Sequence, residues 1–291
     1  MTAKSLSYQY KMANILVKLI VINAIAFLIV RLGSFIFKMS PGYFSRWFSL
    51  SDDLNTLLLQ PWTLISYGFL HFGFFHILFN MIWLYWFGQF VLTLFTPKRL
   101  LTIYLLGALF GGVLFVLSYN LLPVFDQDRG YLIGASGAVT AIMIFIATYT
   151  PNTQFRIFTF TIKLWHIALF LFVLDLIRIP TSGNAGGLMA HVGGGVFGYL
   201  YAIQLAKGND IGKWFENIMD WIANIFKPRE KKPFKTVHRA NATTAKTVYS
   251  KDQKTEHQKK IDAILDKISK SGYESLTKTE KDFLFKAGKE D

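Results

Sequence analysis

His71, His76, Asn80, Ser136, Asp175 and His191 stand in stretches of sequence that are otherwise largely apolar. Polar groups are costly in such surroundings, so each is a candidate for function. A serine and a histidine can act as nucleophile and base, the imidazole taking the hydroxyl proton and later returning it to a leaving amine. The Ser136 amide, the Asn80 side chain and His76 could then donate to the oxyanion that the attack creates. Each residue also has an ordinary reading. Gly134-Ala135-Ser136-Gly137 could be a packing face of small residues. His76 and Asn80, four apart on one helix face, could form a hydrogen-bonded pair between helices. His191 taken alone could be a ligand, a proton relay or a base. Asp175, near the outer end of its segment, reads as structural, so no carboxylate is assigned as a third member.

The elements that carry these residues are set by composition. The chain has 291 residues, no cysteine, 52% hydrophobic residues and only 17% charged ones. The missing thiols exclude a disulfide framework, a Cys-ligated metal and a Cys nucleophile. Residues 1–206 hold 12 Lys/Arg and five Asp/Glu, while residues 207–291 hold 19 and 13. A long apolar part followed by a densely charged tail excludes a soluble enzyme. It also removes nucleic-acid binding as the leading idea, since membrane proteins with cytosolic loops come out basic too.

Crossing a bilayer takes about 20 mostly apolar residues. Six segments are assigned as spans: about 15–37, 72–95, 100–119, 135–149, 162–177 and 188–206. The expected fold class is an all-α polytopic membrane protein, a six-helix bundle over residues 1–206. The first span reads as a retained anchor, because its A-x-A pattern lies inside the apolar run. Six basic residues between Lys227 and Arg239 follow the last span and place both termini in the cytoplasm. The expected setting is a bacterial inner membrane.

Residues 207–227 read as an amphipathic interfacial helix, with Trp214 and Trp221 at the lipid surface, or equally as a short helix packed on the bundle. Residues 228–257 read as a basic flexible linker. Residues 258–291 read as a small helical module that could dock on a cytosolic partner. Its first helix ends at Gly272, and Thr277 with Glu280 forms a capping box that opens the second.

Depth links the candidate residues. Ser136 lies 13 residues from Tyr149, His191 lies 15 from Ala206 and Asn80 lies 15 from Phe95. At about 1.5 Å per residue these separations are roughly 20–22 Å. Three helices thus hold polar groups at one level, roughly 10 Å below the outer surface of a core about 30 Å thick. His191, Gly194 and Gly198 share a helix face, so the serine helix can come close enough for a Ser–His contact. Gly193 is off that face, so Gly193→Ala is expected to be milder than Gly198→Val.

These motifs resemble those of the rhomboid family of intramembrane serine proteases over about residues 10–206. Gly134-Ala135-Ser136-Gly137 matches G-x-S-G, Ala190-His191 with Gly194 and Gly198 matches A-H-x-x-G-x-x-x-G, and His71, His76 and Asn80 match H-x-x-x-x-H-x-x-x-N. The resemblance implies Ser136 as nucleophile, His191 as base, and His76 and Asn80 as oxyanion stabilisers. It implies transmembrane protein substrates cut near their outer ends within the lipid bilayer, with no nucleic acid, no metal and no cofactor. Two departures stand out. The first loop reads Trp62-Thr63 where the family usually has Trp-Arg, which puts that loop's polar anchoring in doubt. Thr140 stands where many members stack an aromatic on the base, so His191 needs another restraint, such as a hydroxyl contact. Competing readings are a catalytically silent rhomboid-like client-binding protein and a transporter. A transporter predicts paired broken helices or several intramembrane charges.

Overall fold

A computed structural model of the chain describes residues 8, 10, 12–125, 130–157, 159–225 and 248–287. They divide into two compact units, 1–227 and 228–291. In the first unit, helix α1 spans Ile15–Ile36, opened by the Asn14 side chain, which accepts from the Val17 N–H at 3.0 Å. Helix α2 (Pro41–Ser45), strand β1 (Leu50–Ser51) and helices α3 (Leu54–Leu59) and α4 (Thr63–Ser66) fill the loop before helix α5, Phe74–Leu94. Helix α6 is Pro97–Leu121, capped by Thr96 with proline at its first turn. Strand β2 (Tyr131–Leu132) leads into helix α7, Ser136–Tyr149. The antiparallel hairpin β3–β4 (Gln154–Ile157, Phe160–Lys163) precedes helix α8, Leu164–Arg178. Helix α9 is Ala185–Ala206 and helix α10 is Lys213–Ile225.

Among the described residues, α1, α5, α6 and α9 are long and apolar enough to cross a membrane, and α7 is a shorter apolar helix. On α1 the residues Ile22, Ile25, Leu28, Ile29 and Leu32 are exposed in sequence-adjacent turns. A soluble protein would bury such a run, and here it fits hydrocarbon. The chain is an integral multi-pass membrane protein.

Helix α6 is the most buried of the four long helices. Leu100, Ile103, Tyr104 and Leu106 are fully enclosed. Its glycines let neighbours come to backbone contact. A Cβ on Gly111 would lie 2.8 Å from the Ala190 carbonyl oxygen of α9. Buried polar groups tie the loops to this centre. Tyr104 donates to the Gly68 carbonyl at 2.9 Å and receives the Asn23 amide at 3.1 Å. Tyr67 donates to the Ala108 carbonyl at 2.7 Å.

The first loop is anchored without an arginine after Trp62. The Trp62 indole donates to the Trp47 carbonyl at 2.7 Å, and Ser66 donates to Phe48 at 2.8 Å. Thr63 is buried and bonds back to the Gln60 carbonyl at 2.6 Å. Strand β1 pairs antiparallel with β2, Leu50 opposite Leu132, and so couples this loop to the segment ahead of Ser136.

Helix α10 joins the bundle through charge. Arg99 bonds Asp210 and Glu216, and Lys98 bonds Asp220. Trp214, Ile218, Trp221 and Ile222 stay exposed. The helix therefore combines an anchored face and an apolar outer face, the two properties that the sequence presents as alternatives.

In the second unit, helix α11 runs Val248–Ser271 and helix α12 runs Lys278–Ala287. Residues 228–247 of the expected linker lie outside the described residues. The rest of that expectation is corrected, because 248–257 is helical. The stretch from Val248 to Ser271 holds no Gly or Pro and is rich in Lys, a good helix former. The capping box forms: the Thr277 amide donates to Glu280 at 2.7 Å and the Glu280 amide to Thr277 at 3.4 Å. The Thr277 amide, with Lys267 behind it, holds the Glu280 carboxyl down at about 2.

The glycine face of α9 packs as expected on α7. A Cβ on Gly198 would collide with the Ala141 carbonyl, and one on Gly194 with the Gly137 carbonyl. Gly193, off that face, is enclosed as well. A Cβ there would lie 2.5 Å from the Phe110 carbonyl oxygen and 2.9 Å from the Leu114 Cβ. Helix α9 is thus held from two sides, by α7 and by α6. Gly198→Val and Gly193→Ala should both lower the melting temperature in detergent, each costing about 1–3 kcal/mol through overpacking. A Gly193→Ala variant that melts like wild type would show that α6 yields at that contact.

Candidate active site

Ser136 opens α7 directly after the non-helical turn Gly134-Ala135. That turn is fixed by two bonds. The Gly134 N–H donates to the Tyr67 carbonyl at 3.0 Å, and the Ala135 N–H to His71 Nε2 at 3.4 Å. Gly134 has φ +122°, a conformation that glycine adopts without strain. A side chain here would also strike the imidazole of His76, whose Nε2 would lie 2.8 Å from its Cβ. The first intrahelical bond of α7 is Val139 N–H to the Ala135 carbonyl, 2.9 Å. The N–H groups of Ser136, Gly137 and Ala138 come before it, at the positive end of the helix, where developing negative charge is stabilised.

One cavity of about 510 Å³ collects the residues that the sequence singles out. His76 and Asn80 enter it from α5, Ser136 and Thr140 from α7, and His191 from α9. All four proposed site residues therefore share one space. Asn80 is buried, and one of its amide hydrogens goes to the His76 carbonyl at 2.8 Å. The second hydrogen of that NH₂ group is available as a donor. His71 is placed apart from the cavity. It is fully buried, packs edge-on to His76 with ring centroids 5.0 Å apart, and supports the turn before Ser136.

A second cavity of about 530 Å³ adjoins the first. Both have His76 and Asn184 in their walls, and Tyr131, Ile133 and Ser182 line the second. Beside His76 and Asn80, α5 also presents the apolar side chains of Phe75, Phe79 and Trp83 to the first cavity. The site thus has an apolar side and a side made of loops.

One polar contact departs from the sequence reading. Asp175 of α8 lines the same cavity, and its Oδ2 lies 2.7 Å from His191 Nδ1. Their side chains are 17% and 18% exposed. The side chain that holds His191 is thus a carboxylate, where the sequence offered a hydroxyl contact as one way to hold it. The signal was present in the sequence. Helix α8 ends three residues after Asp175 and α9 begins six residues before His191, so an antiparallel pair brings the two within one turn in depth. Arg178 and Asn184 also line the cavity and were not anticipated.

A Rhomboid domain model matches residues 58–208, which hold every residue of this site. The chain belongs to the rhomboid family. It is 31% identical over 207 residues to RHOMBOID-like protein 12, mitochondrial, of Arabidopsis thaliana, covering 67% of this chain and 59% of that protein. It is 36% identical over 93 residues to Rhomboid-like protein 16, chloroplastic, of the same plant, covering 28% of this chain and 29% of that protein. It is 41% identical over 73 residues to Rhomboid protease GlpG of Yersinia enterocolitica, 24% of this chain and 25% of that protein. The chain thus spans less than two thirds of the length of each of these relatives. Residues 246–287 match a second model, a family of unknown function (DUF6576).

The role of His71 gives a test that needs no substrate. His71→Ala removes a buried acceptor and leaves the Ala135 N–H unsatisfied, which costs about 1–3 kcal/mol. The variant should melt lower in detergent, and unchanged melting would show that the turn before Ser136 is held by Tyr67 alone.

Proposed function

We propose that this rhomboid family member is an active intramembrane serine endopeptidase that cleaves transmembrane segments of other membrane proteins near their outer ends. The observation that carries this reading is the convergence of Ser136, His191, His76 and Asn80 in one cavity, with Ser136 on the first turn of a helix. In this reading Ser136 Oγ attacks the scissile carbonyl carbon as His191 takes its proton. The Ser136 N–H, the free Asn80 N–H and His76 donate to the oxyanion. Collapse breaks the C–N bond, His191 protonates the leaving amine, and an ester to Ser136 remains. Water, deprotonated by His191, then hydrolyses the ester and restores the hydroxyl. The loop-lined second cavity offers that water a route, and the apolar wall of Phe75, Phe79 and Trp83 suits a client helix.

The reading takes six spans, α7 and α8 included, with both termini cytoplasmic on the strength of the basic residues after α10. A bacterial inner membrane is the proposed setting, although the names of two relatives point to a mitochondrion and a chloroplast. Residues 258–291 are proposed as a module for a cytosolic partner.

Reaction with a fluorophosphonate separates this reading from a silent client-binding protein, because only an activated serine is labelled. Wild type should label, and Ser136→Ala should neither label nor cleave a model transmembrane substrate while melting as wild type does. Cleavage by Ser136→Ala above a few per cent of wild type would remove Ser136 from the role of nucleophile. Asn80→Ala should lower kcat on the order of ten- to a thousandfold, the range for one oxyanion donor, with little change in KM. A rise in KM alone would make Asn80 a packing or substrate contact.

A further inference from the structure

We propose that Asp175 is the positioning residue for His191, so that this chain works with a Ser136–His191–Asp175 triad in place of a two-residue dyad. The inference rests on the protease reading above. It starts from one distance: Asp175 Oδ2 to His191 Nδ1, 2.7 Å, the length of a charge-assisted hydrogen bond.

The chemistry of the imidazole gives that contact its meaning. A neutral imidazole has one N–H and one lone pair, on different nitrogens. To accept the serine proton on Nε2, the ring must carry its hydrogen on Nδ1. A carboxylate is an acceptor only, so its place against Nδ1 favours the N–H there and frees the Nε2 lone pair for Ser136. When His191 becomes a cation during attack, the same carboxylate lies next to the new charge. Among the described residues, neither imidazole nitrogen has another hydrogen-bond partner. Thr140 lines the same cavity and bonds neither nitrogen. Asp175 is thus the group that can set both the tautomer and the ring orientation.

The geometry also places the carboxylate on a separate helix from both other members. Ser136 and His191 belong to α7 and α9, whose backbones meet at Gly137 and Gly194. Asp175 belongs to α8, where only Leu164 and Ala168, near the start of the helix, are buried. The outer half of α8 has Phe170, Leu174 and Ile177 exposed. The contact with His191 is the polar tie between that half and the catalytic pair.

The test compares wild type, Ser136→Ala, Asp175→Asn and Asp175→Glu in the full chain. For each it measures fluorophosphonate labelling rate, kcat and KM on one transmembrane substrate, melting temperature, and the imidazole ¹⁵N shifts of His191. If Asp175 positions the base, Asp175→Asn lowers the labelling rate and kcat together, on the order of a hundredfold or more. KM and melting stay close to wild type, the ¹⁵N shifts lose the Nδ1–H signature, and Asp175→Glu recovers part of the rate. The proposal is overturned if Asp175→Asn labels within about threefold of wild type, or if its loss lies in KM alone, the mark of a packing role. Ser136→Ala keeps the two levels apart. If it is inert while Asp175→Asn is fully active, the protease reading stands and the triad fails. If it still labels and cleaves, the protease reading itself fails.

Discussion

Two backbones that touch with no side chain between them are the constraint on which the rest of this structure depends. Where α9 crosses α7, Gly194 faces the Gly137 carbonyl and Gly198 faces the Ala141 carbonyl. In a bilayer, helices gain little from leaving apolar surroundings, so association relies on close packing. Glycine gives the closest approach available. The seam sets the distance between Ser136, one residue before Gly137, and His191, three residues before Gly194. The opposite side of α9 is fixed in the same way, with Gly193 against Phe110 of α6.

Around that seam, polar groups hold what the glycines bring together. Helix α6 receives loop carbonyls through Tyr104 and neighbouring backbones through its own glycines. The turn ahead of Ser136 hangs from Tyr67 and His71, and Tyr67 is itself bonded to α6. The serine is therefore connected through two hydrogen bonds and one buried ring to the centre of the bundle. Each of these groups would be orphaned in hydrocarbon if its partner moved, which makes the arrangement cooperative.

Much of the site was legible in the sequence, because depth along a helix is simple arithmetic. Residue spacing fixed the level of Asn80, Ser136 and His191, and the glycine spacing showed which face of α9 meets α7. What was not legible depends on rotation about helix axes. Asp175 lies at the right depth, but spacing does not say which way α8 turns it, and the contact with His191 follows from that turn. The contact at Gly193 was not legible for the same reason: one face of α9 was identified from its glycine spacing, and the partner on the other side was not. The hairpin from Gln154 to Lys163 was missed because its few residues carry no turn signature as strong as Asn-Gly. The early start of α11 was missed because high polarity was taken as flexibility, where helix-forming composition decides.

The length of α7 has a consequence of its own. Its 14 residues make a rod of about 21 Å, short of a hydrocarbon layer about 30 Å thick. Ahead of it come the irregular backbone of Ile133, Gly134 and Ala135 and the loop-lined cavity beside them. Bare peptide groups at that depth are tolerated only where protein or water surrounds them. The loop-lined cavity gives these groups polar surroundings, and it adjoins the cavity that Ser136 lines. In the proposed protease reading, the water that ester hydrolysis needs is then met at this polar end of the helix, with no passage through hydrocarbon.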